Sequence, residues 1–235
     1  MEMKNIQDYK LKDIILISSL PDMGKVGGLV TQHISKKLKA KKAAQMFLAD
    51  KPWVNIKDGL VNLPTDEYFL TVDEKNSIVI FTGENQPQEP ATVFKIANKI
   101  LDTVSKMGNI KMVISAGGYL PSESESEKGE AVYGVATNST SMDLLKSNNV
   151  KPLSAEVKSI TWFNGIILGI TKSKNIDGVG LFGEIVDAES PQYKAASNIL
   201  KVIGKILKIE IETKELDDKV LDQPLEIKKE GPGIG

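Results

Sequence analysis

Cysteine is absent from this 235-residue chain, which excludes disulfides, thiol nucleophiles and thiolate-bound zinc. Arginine is absent as well, so all 30 basic residues are lysine. Without guanidinium groups there is no bidentate clamp on carboxylate or phosphate and no arginine finger. That counts against phosphoryl transfer and base-specific nucleic-acid reading, although a biased genome is the simpler source of the absence. Histidine occurs once, as His33. A Ser-His-acid triad would have to use it, yet it sits among apolar neighbours in a helical pattern with no G-x-S-x-G elbow; packing or an interface is the better reading. No apolar run approaches the roughly 20 residues of a membrane span, and Met1 to Asn5 carry no apolar signal core. A net charge of -1 gives no field to attract nucleic acid or an anionic membrane. These absences describe a cytoplasmic protein with neither nucleic-acid nor membrane partners.

What is present is enough for a core, since 41% of the chain is hydrophobic. The organising stretch is Asp13 to Lys39. Ile14 to Ile17 form a continuous apolar run, as expected of a strand covered on both faces. Ser18 to Gly24 supply turn chemistry. Val26, Leu29, Val30, His33, Ile34 and Leu38 then recur at helical spacing. Gly27 and Gly28 fall in that helix's first turns, where each costs about 1 kcal/mol relative to alanine. Close backbone packing, or a ligand or partner at the helix start, would offset that cost.

The pattern continues as strand-helix alternation. Strands are expected at Ala43–Leu48, Ser77–Phe81, Ile110–Ser115, Ala131–Thr137, Val150–Val157 and Val179–Val186. Helices are expected after Glu89-Pro90, after Asn138, over Ile160–Ile170, where Gly165 and Gly169 suit close packing and a strand is the alternative, and after Ser190-Pro191. Trp53 to Leu63 alternates around Asp58-Gly59, a strong hairpin signal, and with Tyr68–Val72 suggests an antiparallel flap. Asp177-Gly178 reads as a turn, and the Ile110–Ser115 strand leads into Ala116 to Pro121. The fold class is α/β: a three-layer sandwich on a largely parallel or mixed sheet with a small antiparallel insertion at about 52–74. Residues 1–210 read as one domain and 211–235 as a charged, flexible tail.

Few constellations offer chemistry. Gly24-Lys25 is followed by valine and lacks the spacing of a phosphate loop, and G-x-G-x-x-G is not met. A bare anion site at this helix N-terminus is one reading of Gly24 to Gly28; tight strand-helix packing is the other. Glu84 and Glu184 lie at strand rims, where two acids could share general acid-base work or bond loop amides. Lys36, Lys37, Lys39, Lys41 and Lys42 suit the negative end of a helix dipole better than a nucleic-acid patch. Glu123, Glu125 and Glu127 belong to a polar surface loop without the rigid turn a metal requires.

One ordered set of segments carries a resemblance: Leu20 to Gly28, Gly83-Glu84-Asn85-Gln86-Pro87, Ala116-Gly117-Gly118-Tyr119, Phe163 to Gly169 and Gly180 to Glu184. In this order they resemble the proteasome assembly chaperone family, in its archaeal type. The resemblance implies a fold similar to nucleoside phosphorylases without their catalytic residues. It also implies homo-oligomers or pairing with a related subunit, proteasome α subunits as partners, and no ATP hydrolysis. Some members end in hydrophobic-Tyr-X, whereas this sequence ends Gly233-Ile234-Gly235.

The expected function is thus a non-enzymatic assembly chaperone or scaffold, without cofactor or metal, that binds protein partners. Its interface candidates are Met23, Gly24, Lys25, Gly27, Gly28, Glu84, Gln86, Gly117, Gly118, Tyr119 and Glu184. The alternative is a phosphorylase-like or ligase-like enzyme using the Gly24–Gly28 turn and the rim acids.

Overall fold

A computed structural model describes residues 3–122, 126–127 and 129–221. The chain order is β1 (Lys4–Asn5), β2 (Ile14–Ser18), α1 (Val26–Lys37), β3 (Lys41–Leu48), β4 (Asn55–Lys57), β5 (Leu60–Asn62), β6 (Asp66–Asp73) and β7 (Ile78–Gly83). It continues with α2 (Pro90–Met107), β8 (Ile110–Tyr119), β9 (Val132–Ala136), α3 (Ser139–Ser147), β10 (Lys151–Pro152), α4 (Trp162–Ser173), β11 (Asp177–Glu184), α5 (Tyr193–Leu207) and α6 (Lys214–Leu221).

Among the described residues, nine strands form one sheet in the order β1-β3-β6-β7-β2-β8-β11-β9-β10, and β4-β5 form a separate two-stranded sheet. The central strands β7, β2, β8 and β11 run parallel, whereas β6 and β9 join antiparallel on either side. This is a mixed α/β fold with helices on both faces. Side-chain alternation along the central strands builds two cores. Leu16, Val79, Phe81 and Val113 face Ile96 and Ile100 of α2 and Phe163 and Ile167 of α4. Ile17, Ile80, Ile114 and Leu181 face Val30 and Ile34 of α1 and Ile199 and Ile203 of α5. Because both faces are covered, these strands read as continuous apolar runs.

Local signals account for several elements. Asn138 caps α3 by accepting the Ser141 N–H at 2.8 Å, a bond typical of an N-cap. Asp58 and Gly59, at φ 52° and 76°, make the turn between β4 and β5. The apolar stretch from Ile160 becomes the helix α4, but only Gly165 is crowded, against Ile160; Gly169 faces open space.

Other elements depart from the sequence pattern. The Tyr68–Val72 strand belongs to the main sheet, as part of β6 between β3 and β7, rather than to the flap. Its inner side chains explain why: Tyr68 and Leu70 are fully buried, and Tyr68 stacks on Phe81 at 6.1 Å. Asp177-Gly178 opens β11, and β8 runs on through Gly117 and Gly118, since β8 and β11 pair in register from Met112 to Tyr119. The segment after Val150 contributes only the two-residue β10. Gln192, not Ser190-Pro191, occupies the cap position of α5. Lys214–Leu221 is a helix where charge suggested a tail, held by buried Leu216 and by Asp217, which accepts from Ser197 and Thr213. The rest of that stretch, with the Gly233-Ile234-Gly235 ending, lies outside the described residues, as do Glu123 and Glu125.

Candidate functional site

The C-terminal ends of β2, β8 and β11 meet the start of α4 around a cavity of about 250 Å³. Here the chain leaves β2 towards one half of the sheet while its other parallel neighbour, β8, opens the other half. Such a switch point is where open α/β sheets leave a crevice. Asp22, Met23, Gln86, Gly118, Tyr119, Trp162, Asn164 and Phe182 are among the lining residues.

Asp22 organises this rim. Its Oδ1 accepts the Gly27 N–H at 2.9 Å and its Oδ2 accepts the Gly118 N–H at 2.7 Å. One carboxylate thereby ties the loop after β2 to the first turn of α1 and to the end of β8. When ionised it also places a negative charge at the helix N-terminus. Burial pushes the Asp22 carboxyl up to about 7, and the bonds from Gly27, Gly118 and Asn164 pull in the opposite direction.

The glycines make room for that carboxylate. A Cβ on Gly117 would fall well inside contact distance of Asp22 Oδ2, and one on Gly27 would meet Leu20 O at 2.5 Å and Ala116 O at 2.8 Å. The cost of glycine in the first turn of α1 is therefore offset by close backbone approach. Gly24 adopts φ 63°, and its N–H donates to Ala188 O at 2.7 Å.

Asn164 completes the frame from α4. Its Oδ1 accepts the Leu20 N–H at 2.9 Å and its Nδ2 donates to Leu20 O at 3.0 Å. Ser19 Oγ accepts the Ala116 N–H at 2.7 Å, and Gln86 Oε1 accepts the Phe163 N–H at 3.3 Å. Asp22, Asn164, Ser19 and Gln86 are thus engaged with backbone groups. Met23, Trp162, Leu120 and Val186 surround the rim as large apolar side chains, each 46–69% exposed. Trp162 holds φ 57° at the start of α4, a strained backbone for a bulky residue.

The interface candidates divide. Met23, Gln86, Gly118 and Tyr119 share the cavity, with Gly24, Gly27, Gly28 and Gly117 packed just behind it. Lys25 is exposed beside them. Glu84 and Glu184 stand apart: β7 and β11 are separated by β2 and β8, three strand spacings or roughly 14 Å. Glu84 Oε2 accepts the Glu67 N–H at 3.1 Å. Glu184 is buried and accepts from Ser126 Oγ at 2.6 Å, the Glu127 N–H at 2.8 Å and the Ala131 N–H at 3.4 Å. Burial alone would raise its carboxyl; these bonds and one from Gly129 hold it below the usual range. The two acids do not form a pair. His33 is buried, with Nε2 2.8 Å from Glu212 O, and fastens α1 to the segment before α6.

Asp22 and Asn164 were missing from the sequence candidates. The polar Asn164 inside an otherwise apolar helical run was the available signal; nothing local marked Asp22 apart from ordinary turn chemistry.

A second buried polar cluster sits at the root of the β4-β5 hairpin. Lys51 Nζ lies 2.8 Å from Asp66 Oδ2 and 3.7 Å from Asp50 Oδ1, with all three side chains 7–8% exposed. Asp66 Oδ1 accepts from Asn85 Nδ2 at 2.8 Å, and Asp50 Oδ2 accepts the Gln88 N–H at 2.7 Å. Tyr68 Oη donates to Asn85 O at 2.9 Å. Burial, and then the nearby Asp66, Asp50 and Glu84, push the Tyr68 phenol well above its ordinary value. Both roots of the hairpin are so clamped to the loop that carries Gln86.

The PAC2 family matches residues 16–229. An uncharacterized protein of Methanocaldococcus jannaschii, MJ1210, is 28% identical over 231 residues, covering 93% of this chain and 86% of that one. The crystal structure of Pyrococcus furiosus PbaB, described as an archaeal proteasome activator, superposes with a TM-score of 0.78 at 28% identity, covering 94% of each chain. Pyrococcus furiosus PbaA, described as an archaeal homolog of proteasome-assembly chaperone, superposes at 0.76 with 22% identity, covering 94% of this chain and 87% of that one. At that identity the likeness to PbaA is one of fold.

Proposed function

The chain belongs to the PAC2 family, and from that premise we propose that it is a non-enzymatic, ATP-independent proteasome assembly factor that binds α subunits at its strand rim. It acts as a homo-oligomer or beside a related subunit. The observation that carries this reading is the state of the rim's polar groups. Asp22, Asn164 and Gln86 hold backbone amides in place, so none is positioned as a free base or nucleophile. Met23, Leu120, Trp162 and Val186 stand open around them. A shallow cavity with a rigid polar frame and an exposed apolar border fits an apolar side chain offered by another protein.

Co-purification from the native cell followed by mass spectrometry tests the proposal. Recovery of proteasome α subunits without added ATP, reduced by the paired variant Met23→Ala/Trp162→Ala, is the expected result. Consistent absence of α subunits overturns it. The enzymatic alternative is tested by thermal shift with nucleosides, nucleotides and phosphate. A ligand at about 100 times its Kd would add about 2.7 kcal/mol of stability, and such a shift favours the enzyme.

A second reading is favoured by the description of PbaB as an activator: the partner would be the assembled proteasome rather than free α subunits. Binding assays with each form separate the two.

A further inference from the structure

The rim frame fixes where Asp22 sits but leaves its charge unbalanced. Its partners are all neutral: the Gly27 N–H at 2.9 Å, the Gly118 N–H at 2.7 Å and the side-chain amide of Asn164. Among the described residues it forms no ion pair with any lysine. Burial outweighs the bonds it accepts and lifts the carboxyl to about 7, so these neutral donors do not fully stabilise the ionised form. A carboxylate offers about four lone-pair sites, and the three donors leave one over. Asp22 is half-buried and lines the cavity, so that last site is open to whatever enters.

The walls suit a cation carried on an apolar stem. Tyr119, Trp162 and Phe182 line the cavity with Asp22, and no basic residue does. Aromatic rings attract an ammonium through their quadrupole, more strongly where water is displaced. Trp162 stands at the mouth on a strained backbone, φ 57°, and residues so strained cluster at ligand clamps. At about 250 Å³ the cavity holds one long side chain.

We propose that this cavity takes a primary ammonium on an apolar stem, the lysine side chain of a partner protein, with Asp22 as its counter-ion. The four-carbon stem lies along Met23 and the aromatic walls while the head reaches the carboxylate, as amphipathic side chains do. The ammonium completes the set of donors with a charge-assisted hydrogen bond. Arginine fits less well, because its planar fork needs two acceptors side by side and each Asp22 oxygen already serves a backbone amide. The inference rests on the reading of this rim as a partner-binding surface and names the chemistry of the anchor.

Amide NMR of the isotope-labelled full chain tests the site, at a pH above the Asp22 value of about 7. The probe is n-pentylammonium chloride. The comparison is n-pentanol, which has the same stem and no charge, with sodium chloride as the blank. Saturable shifts of the Gly27 and Gly118 amides are expected with the ammonium. The alcohol should bind about tenfold more weakly, the worth of one hydrogen bond to a charged group. Equal affinity for the two, or ammonium shifts that leave Gly27 and Gly118 untouched, overturns the inference. This comparison uses wild type alone, so it stands even where Asp22→Asn does not fold. In capture of α subunits a folded Asp22→Asn should lose affinity by a similar factor, and unreduced capture overturns the lysine assignment. A wild type that binds the ammonium at the cavity yet captures no α subunit would sink the proposed function and spare the site. Capture by a chain that does not distinguish ammonium from alcohol would do the reverse.

Discussion

Asp22 Oδ2 accepts the backbone N–H of Gly118 at 2.7 Å across 96 residues of sequence. With the bond from Gly27 to Oδ1, one side chain holds three segments in register: the loop after β2, the start of α1 and the end of β8. A carboxylate accepts from two N–H groups on its separate oxygens, whereas an amide can offer only one acceptor oxygen.

Asp22→Asn should accordingly lower stability by about 1–3 kcal/mol, because one buried N–H loses its acceptor. It should also change the pH profile. The folded carboxyl lies near 7, above the ordinary value of about 3.9. A raised carboxyl contributes stability that is complete below the unfolded value and disappears as pH rises through the folded one. Relative to Asp22→Asn, wild type should lose stability between about pH 4 and pH 7, with a slope of at most about 1.4 kcal/mol per pH unit. Urea unfolding of both proteins across that window measures it; parallel profiles would contradict the assignment.

Gly117→Ala places a methyl group against Asp22 Oδ2. A loss of about 1–3 kcal/mol is expected from overpacking. The penalty should shrink when Asp22→Ala is present as well, since the clashing oxygen is gone. Equal penalties in both backgrounds, measured as a double-mutant cycle, would show that the clash lies elsewhere.

Lys51→Met removes the cation between Asp50 and Asp66. Breaking a buried pair from one side leaves uncompensated charge and costs about 3–5 kcal/mol. The roots of the hairpin should open with it. Faster limited proteolysis between residues 52 and 65, together with a lower melting temperature, is the expected outcome.

Glu184 anchors Glu127 and Ala131 through their N–H groups, and its carboxyl is held below the usual range once its hydrogen bonds outweigh burial. A depressed carboxyl contributes stability above its unfolded value and loses it as pH falls through the folded one. The protection factors of the Glu127 and Ala131 amides, with intrinsic exchange rates divided out, should therefore be high at neutral pH and fall once pH drops below the ordinary glutamate value of about 4.3. Glu184→Gln should show the faster exchange already at neutral pH.

Much of the framework was legible because its signals are local. The apolar runs of β2, β7 and β8, the helical spacing of α1 and α2, and the Asp58-Gly59 turn each depend on a few consecutive residues. The helix Lys214–Leu221 is not legible in the sequence for the complementary reason. Its charge is real, but Leu216 finds a hydrophobic core that the segment's own composition does not announce. Tyr68–Val72 likewise alternates like any strand; stacking of Tyr68 on Phe81 assigns it to the main sheet.

The residue order alone determined the covered central strands, the helices that flank them, the absence of thiol and guanidinium chemistry, and an aliphatic arm around a tight turn. Period and turn chemistry are properties of neighbouring residues, so they survive in one dimension. Which carboxylate would matter was decided only in space. The strand order β7-β2-β8-β11 differs from chain order, sets Glu84 and Glu184 apart, and lays Gly118 beside Asp22. No spacing along the chain encodes that neighbourhood, because it arises from strand pairing between distant segments.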